Sequence, residues 1–427
     1  MRSLLLLAGI AGIATACDPP RPPTPTSSSP SARLLLGAAG VPQGTFGADT
    51  APEFAAGFAG LAADGFDAFL PIFLTNEDGS ATAEPSFFLP PEALPGVPEQ
   101  ATCAGARNPW VQSGDIGIVL PAYLLTLEQS TSAPLDTASY QAQLEAFRAR
   151  CLGGDDSKLR GLYLYDEPAT ATVSSRLDLD DENDFLIENV RAMAEASRAL
   201  VDTPTFVVEA ALPFALPLFG VPASQRPRLE ADWRTAVDAS APSADVYGFD
   251  LYAVDAVADV SPIGDYVELA YERAPEGAMT IAVLQGFGMT DMGIAPLGDG
   301  SGRQPTRDET RAMTYEAIAR GAQGLFWYGQ SALTTSESGV WRDVRDVVSE
   351  LRTHERVLMA PGRALGVQNA AVHARALEPE DEPAVLVVNP TDQPHDVVLP
   401  REGVDLFSGA HVARELTLAP YQALLVQ

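Results

Sequence analysis

Between Arg33 and about Gly362, short apolar runs alternate with stretches of helical period, and this rhythm constrains the fold more than anything else in the chain. The runs are 34–40, 66–73, 115–123, 159–167, 204–210, 245–253, 280–288 and 324–332. The clearest helical patterns are 139–152, 184–201, 229–240 and 307–322, and 341–358 follows the eighth run. The weakest lies between the second and third runs, where residues 84–98 are full of proline. Eight strands, each followed by a helix, predict an α/β chain built as a (β/α)8 TIM barrel, not an open doubly wound sheet. The open alternative would carry GxGxxG after its first strand, and the sequence there reads GVPQGTFGAD.

After Arg363 the period changes. Residues 384–400 read as strand, turn and strand, and 404–427 alternate with turn residues between. A small antiparallel β-sandwich is expected over 363–427, packed on a barrel spanning 33–362. Its expected role is structural support, with carbohydrate binding as the alternative.

The first residues are not part of either unit. Arg2 precedes an apolar run from Leu4 to Ile13, and small residues lead to Cys17, which is the pattern of an export signal. Ending in Ala14-Thr15-Ala16-Cys17, it resembles a bacterial lipoprotein signal, which implies lipidation at Cys17 and a membrane anchor, periplasmic or at the cell surface. An ordinary cleaved signal is the alternative. Residues 18–32, rich in Pro, Ser and Thr, bury no apolar area and read as an extended tether.

Charge narrows the partners. The net charge is −30 and Lys158 is the only lysine, which argues against nucleic acid and against anionic lipid surfaces. In an exported protein Cys103 and Cys151 are candidates for a disulfide, with two free buried cysteines as the alternative. The four histidines, His354, His373, His395 and His411, all lie late, and no Cys/His cluster has metal-ligand spacing. Neither a metal nor another cofactor is implied.

In such a barrel the chemistry sits at the C-terminal ends of the strands. The fourth strand ends in Asp166, Glu167 and Pro168, the fifth at Glu209, and the sixth at Asp250 with Tyr252 beyond. The seventh ends at Gln285 and the eighth at Trp327 and Tyr328, while Asn76 follows the second and Tyr123 ends the third. Alternation puts Tyr163, Tyr165 and Glu167 on one face, and groups Asp250 with Tyr252, Ile281 with Gln285, and Leu325 with Trp327. If those sets face the axis, Glu167, Asp250, Gln285 and Trp327 converge, and Asp166 points away unless the strand has already ended. Carboxylates beside flat rings at one mouth suit cleavage of a sugar linkage: one acid protonates the leaving oxygen, a second attacks or activates water, and rings stack on sugar faces.

These residues resemble the superfamily of (β/α)8 glycoside hydrolases whose fourth strand ends in Asn-Glu-Pro, here Asp166-Glu167-Pro168. The resemblance implies Glu167 as acid/base, Asp166 contacting the sugar, and Trp327 as the eighth-strand aromatic. A trailing β-sandwich is common there. The sequence departs at the end of strand seven, where that superfamily places a nucleophilic glutamate and this chain has Gln285. Three readings follow. Asp250 is the second carboxylate, or Asp166 orients a substrate acetamido group that serves as nucleophile, or the protein binds glycans without cleaving them.

Overall fold

Eight parallel strands close into a barrel in chain order: β1 (Leu35–Gly40), β2 (Ala68–Pro71), β3 (Gly117–Pro121), β4 (Leu159–Asp166), β5 (Thr205–Ala210), β6 (Val246–Leu251), β7 (Met279–Gln285) and β8 (Gly324–Tyr328). This computed structural model describes residues 33–40, 51–71, 103, 116–126, 133–174, 185–218, 220–254, 257, 259–292, 300–329 and 339–427. The expected strands are found, with ends that differ by at most four residues. The proline-rich stretch 84–98, Asn76, the signal with Cys17 and the tether lie outside the described residues.

Described helices connect the strands: α1 (Ala51–Ala63), α2 (Thr137–Arg150), α3 (Pro168–Ser174), α4 (Leu186–Arg198), α5 (Leu212–Leu218), α6 (Arg226–Ser240), α7 (Pro262–Arg273), α8 (Arg307–Ala319) and α9 (Gly339–Leu358). Caps set the starts that periodicity alone misplaces. Asp136 accepts from the N–H groups of Ala138 and Ser139, so α2 starts before the expected 139. Thr306 and Glu309 form a reciprocal capping box that starts α8.

The barrel interior is filled, and glycines decide how. Phe206 and Phe326 meet edge to face across the axis with centroids 6.2 Å apart. A β-carbon at Gly161 or at Gly37 would lie 2.1 Å from those same two rings, respectively. Large residues on some strands thus require glycine on their neighbours, which is how side-chain layers fill a closed barrel. At the opposite, N-terminal end, Arg352 of α9 bonds Asp67 at 2.5 Å and the carbonyls of Leu34 and Gly65, tying the last helix to the first two strands. Cys103 and Cys151 are joined by a disulfide that closes a 48-residue separation, with Cα atoms 5.1 Å apart.

The remaining strands are antiparallel. The main sheet has the order β16 (Ala423–Val426), β11 (Ala384–Val388), β10 (His373–Leu377), β9 (Gly362–Ala364). Pairs β12 (His395–Val398) with β15 (Glu415–Leu418) and β13 (Gly403–Val404) with β14 (His411–Val412) complete a β-sandwich-like unit. Its own core includes Val372, Val387, Val397, Leu418 and Val426. It packs on α8 and α9, where Phe407 lies against Tyr315 at 4.8 Å and under the Arg311 guanidinium at 5.2 Å.

Candidate active site

Three carboxyl groups meet at the C-terminal mouth, and a local break in strand geometry brings them there. In the β4–β5 ladder Tyr163 pairs with Phe206, but Asp166 pairs with Val208. Three steps on β4 therefore match two on β5, which is a β-bulge. The extra residue reverses the alternation beyond it. Asp166 comes to the interior face shared by Phe206 and Val208, where the Tyr163 hydroxyl donates to its Oδ1 at 2.6 Å. Asp166 is expected to point away unless the strand has already ended; the strand runs through Asp166, and the bulge is what turns it inward.

Glu167 follows with φ of 50°, in the left-handed region that a non-glycine residue rarely occupies. Such a conformation costs about 1–3 kcal/mol and needs neighbours that enforce it. Its N–H donates to Val208 O at 3.1 Å, and its carbonyl accepts from Ala171 at 2.9 Å, opening α3. Pro168 suits the first helical position, where no N–H is required. The Asp-Glu-Pro sequence is thus a strand end, a left-handed corner and a helix start in three residues.

Glu209 holds that corner from behind. It is fully buried, and on β5 it alternates with the interior residues Phe206 and Val208, so it faces the helices. Its Oε2 accepts from Ala169 N–H at 2.8 Å and its Oε1 from the Ser240 hydroxyl of α6 at 2.6 Å. Burial pushes this carboxyl up to about 8, against the hydrogen bonds that favour its charge. Glu209 ends its strand, where substrate-binding residues are expected, but it is fully buried and supports Glu167 from behind. Ser240, absent from the sequence reading, is its partner.

Asp250 on β6 is 8% exposed and accepts from the Tyr252 hydroxyl at 3.0 Å. Burial, foremost, and the charges of Asp250 and Asp166 hold Glu167 well above the usual carboxylate range. Burial and the charge of Asp166 raise Asp250 as well, against the hydrogen bond from the Tyr252 hydroxyl. Burial also raises Asp166, against the Tyr163 bond.

Aromatic rings line the same mouth. Tyr252 and Tyr328 stack with centroids 5.8 Å apart, and Phe287 meets both edge-on at 5.0 and 5.5 Å. Tyr123 packs on Tyr163 and Tyr165 at 6.2 and 5.5 Å. Burial and the carboxylates raise the hydroxyls of Tyr123, Tyr252 and Tyr328. Two expected contributors are not part of this wall. Trp327 is fully buried outside the barrel, edge-on to Phe66 at 6.1 Å, because Phe326 and Tyr328 are the inward members of β8. Gln285 is also fully buried: its amide oxygen accepts from Val254 N–H and its nitrogen donates to Phe287 O, both at 3.1 Å. Its amide is engaged in bracing the chain after β6 and β7, not in presenting a group to substrate.

No protein-family model matches the chain, and no curated protein matches it. Among solved structures it is similar to a glycoside hydrolase of family 5 from Bacteroides vulgatus, with 11% identity, 92% of this chain and 89% of the other covered, and a TM-score of 0.52. A second glycoside hydrolase has 12% identity, 92% coverage of both chains and a TM-score of 0.51. The chain folds as (β/α)8 glycoside hydrolases fold.

Proposed function

We propose that the protein cleaves a glycosidic bond in an oligo- or polysaccharide outside the cytoplasm, with Glu167 as the general acid. The observation that carries this reading is the arrangement of Asp166, Glu167 and Asp250 at one mouth, with Tyr163 and Tyr252 bonded to the two aspartates. Burial and two neighbouring carboxyls raise Glu167 toward the protonated form that a leaving oxygen needs, and tyrosine rings beside it offer flat surfaces to a sugar. The bulge and the left-handed corner support the same reading, since backbone strain of this kind concentrates where a side chain must be aimed. Location rests on the signal pattern, with Cys17 as the lipid anchor that ties the tether and barrel to a membrane.

A second reading, a surface lipoprotein that binds glycans without cleaving them, is favoured by one observation. The superfamily's seventh-strand glutamate is replaced by Gln285, whose amide is engaged on both sides. Turnover of a panel of soluble glycans by the wild type and by Glu167→Gln separates the two. Cleavage by the wild type that is lost in the variant supports the hydrolase. Retained cleavage removes Glu167 from its role, and glycan binding by both proteins without cleavage establishes the binder.

A further inference from the structure

We propose that the C-terminal sandwich helps to shape the mouth. Its turn after β11 pins the loop between β6 and α7, and Asn389 and Thr391 are positioning residues that act on Asp250 through Tyr252. The catalytic half of this proposal rests on the hydrolase reading above; the coupling of sandwich to loop stands apart from it. This contact is separate from the packing of Phe407 on Tyr315 of α8.

Tyr252 is the first residue beyond β6, where a chain leaves its sheet and ordinarily gains freedom. Its hydroxyl must nevertheless stay 3.0 Å from Asp250 Oδ2, and its ring must stay stacked on Tyr328. A hydrogen bond weakens steeply once its distance or angle is lost. The stretch that follows Tyr252 is held at two places. Near the mouth, Gln285 Oε1 accepts from Val254 N–H at 3.1 Å, and Val254 pairs in parallel with Val257. Farther along, Asp259 pairs antiparallel with Thr391, and Val260 N–H donates to Pro390 O at 2.9 Å. Asp259 Oδ1 accepts from Ser261 N–H at 2.7 Å, just ahead of α7. Ala253, Val254 and Val260 are buried, so this stretch is packed into the protein at both ends.

The sandwich side of the outer hold is a rigid turn. Asn389 follows β11 directly and is fully buried. Its Oδ1 accepts from Thr391 N–H at 3.1 Å, closing an Asx turn, and from the Thr391 hydroxyl at 2.9 Å. Its Nδ2 donates to Gln393 O at 2.7 Å and to Ala419 O at 2.8 Å. All four hydrogen-bonding positions of this amide are thus engaged. The Thr391 hydroxyl also meets His395 Nε2 at 2.8 Å. Pro390, between them, has its φ fixed by its ring, and its carbonyl is the one that meets Val260. Tyr421 donates its N–H to Thr391 O at 3.0 Å with a φ of 57°, a left-handed conformation that a non-glycine residue keeps only where its surroundings impose it.

A fully satisfied buried amide fixes a turn firmly, because leaving any of its partners unmade is costly. What this turn presents to the barrel is backbone, and what that backbone meets is the stretch leading back to Tyr252. Gln285 and the turn bracket residues 254–260, and Asp250 and Tyr252 lie immediately before them. Freeing the outer hold leaves the inner tie at Gln285. Tyr252 then loses part of what keeps its hydroxyl on Asp250 and its ring against Phe287 and Tyr328. Displacing a reacting group by about an ångström costs up to about 10²-fold in rate.

Hydrogen exchange read by mass spectrometry on the full-length protein tests the coupling without a substrate. In Asn389→Ala, peptides that include 252–254 should exchange at least about tenfold faster than in the wild type, as a locally opened segment does. Val385→Ala removes a core side chain near the start of β11, away from the turn. It should loosen the sandwich and leave 252–254 as in the wild type. Thr391→Val keeps the shape of the turn, loses the hydroxyl contacts, and should give the Asn389→Ala pattern at smaller size; it carries the test if Asn389→Ala does not fold. On a glycan that the wild type cleaves, kcat per folded molecule should fall in Asn389→Ala by up to about 10²-fold and stay unchanged in Val385→Ala. Exchange over 252–254 that is unchanged in both turn variants, or equally faster in Val385→Ala, overturns the coupling and leaves the hydrolase reading intact. Faster exchange there with kcat unchanged overturns the positioning role. If the wild type cleaves no glycan of the panel, the hydrolase reading and the positioning of a catalytic group fall together, while the exchange comparison still decides whether the sandwich holds the mouth.

Discussion

Acidic side chains cluster in two regions of this molecule, and their neighbours set them to opposite uses. At the seam between barrel and sandwich, three acids of α8 and α9 each meet an arginine. Glu309 pairs with Arg303 at 2.6 Å, Glu350 with Arg311 at 2.9 Å, and Glu316 with Arg320 at 3.2 Å and with His373 at 2.7 Å. Burial alone would raise Glu309, but Arg303 and the Thr306 N–H and hydroxyl outweigh it and hold the carboxyl below its usual range. At the mouth, the groups acting on Asp166, Glu167 and Asp250 are tyrosines and one another, and all three carboxyls lie above their usual range. Arginine neutralises an acid permanently and joins two units. Burial among other acids instead favours the protonated form, which can be handed to a substrate.

The most severe way to break this contrast is at the mouth itself. Glu167→Gln should lower turnover of any glycan the wild type cleaves by about 10²–10⁴-fold, the range ascribed to a general acid. The same variant should melt close to the wild type, since the neutral glutamine amide keeps the shape of the side chain. Paired kinetics and thermal melts check both halves.

At the seam the balance of effects should reverse. Arg320→Ala strands the fully buried Glu316 with only His373 beside it, at a cost of about 3 kcal/mol. Urea unfolding should record that loss while kcat per folded molecule stays unchanged. Glu209→Ala sharpens the comparison, because Glu209 belongs to the mouth but acts from behind it. Leaving Ala169 N–H and Ser240 without their acceptor should cost about 1–3 kcal/mol. Loosening the corner should also lower kcat, by up to about 10²-fold if Glu167 shifts by an ångström, with KM little affected.

The last expected effect is on stability as pH changes. Glu209 is raised from 4.5 to about 8 on folding, so the native state binds more protons than the unfolded chain between those values. Its contribution is fully present below the unfolded value and is lost as pH rises through about 8. The raised mouth acids add in the same direction. Glu309 and Asp245, lowered on folding, act the other way: their contribution is present at neutral pH and lost in acid. Thermal melts from pH 5 to 8 should therefore show stability falling as pH rises, with a shallower slope in Glu209→Gln.

Much of the fold was legible because strand and helix periods repeat through the barrel, and the change of period after Arg363 marks the sandwich. The mouth was legible only in part. Alternation states which residues share a face, but not which face is inside. In β8 the adjacent Trp327 and Tyr328 are both large aromatics, and the phase is fixed by Phe326, whose ring fills the axis opposite Gly37. A glycine on the neighbouring strand was the available signal. The bulge at β4 leaves no such trace, since it exists only as a mismatch with β5, so alternation turns Asp166 inward only if the strand has already ended. Glu209 looked like Glu167, an acid at a strand end. One step of alternation separates a group in the mouth from a group behind it.

What sets the mouth apart from the seam is where the protons are, and infrared spectroscopy of glutamate-labelled protein measures that directly. With carbon-13 in the glutamate carboxyls, the spectrum of the wild type minus that of Glu167→Gln isolates one side chain. A protonated carboxyl band at neutral pH that disappears with Glu167 is the expected result. No such band in the difference spectrum, with Glu167 titrating near the ordinary glutamate value of about 4.3, would contradict it.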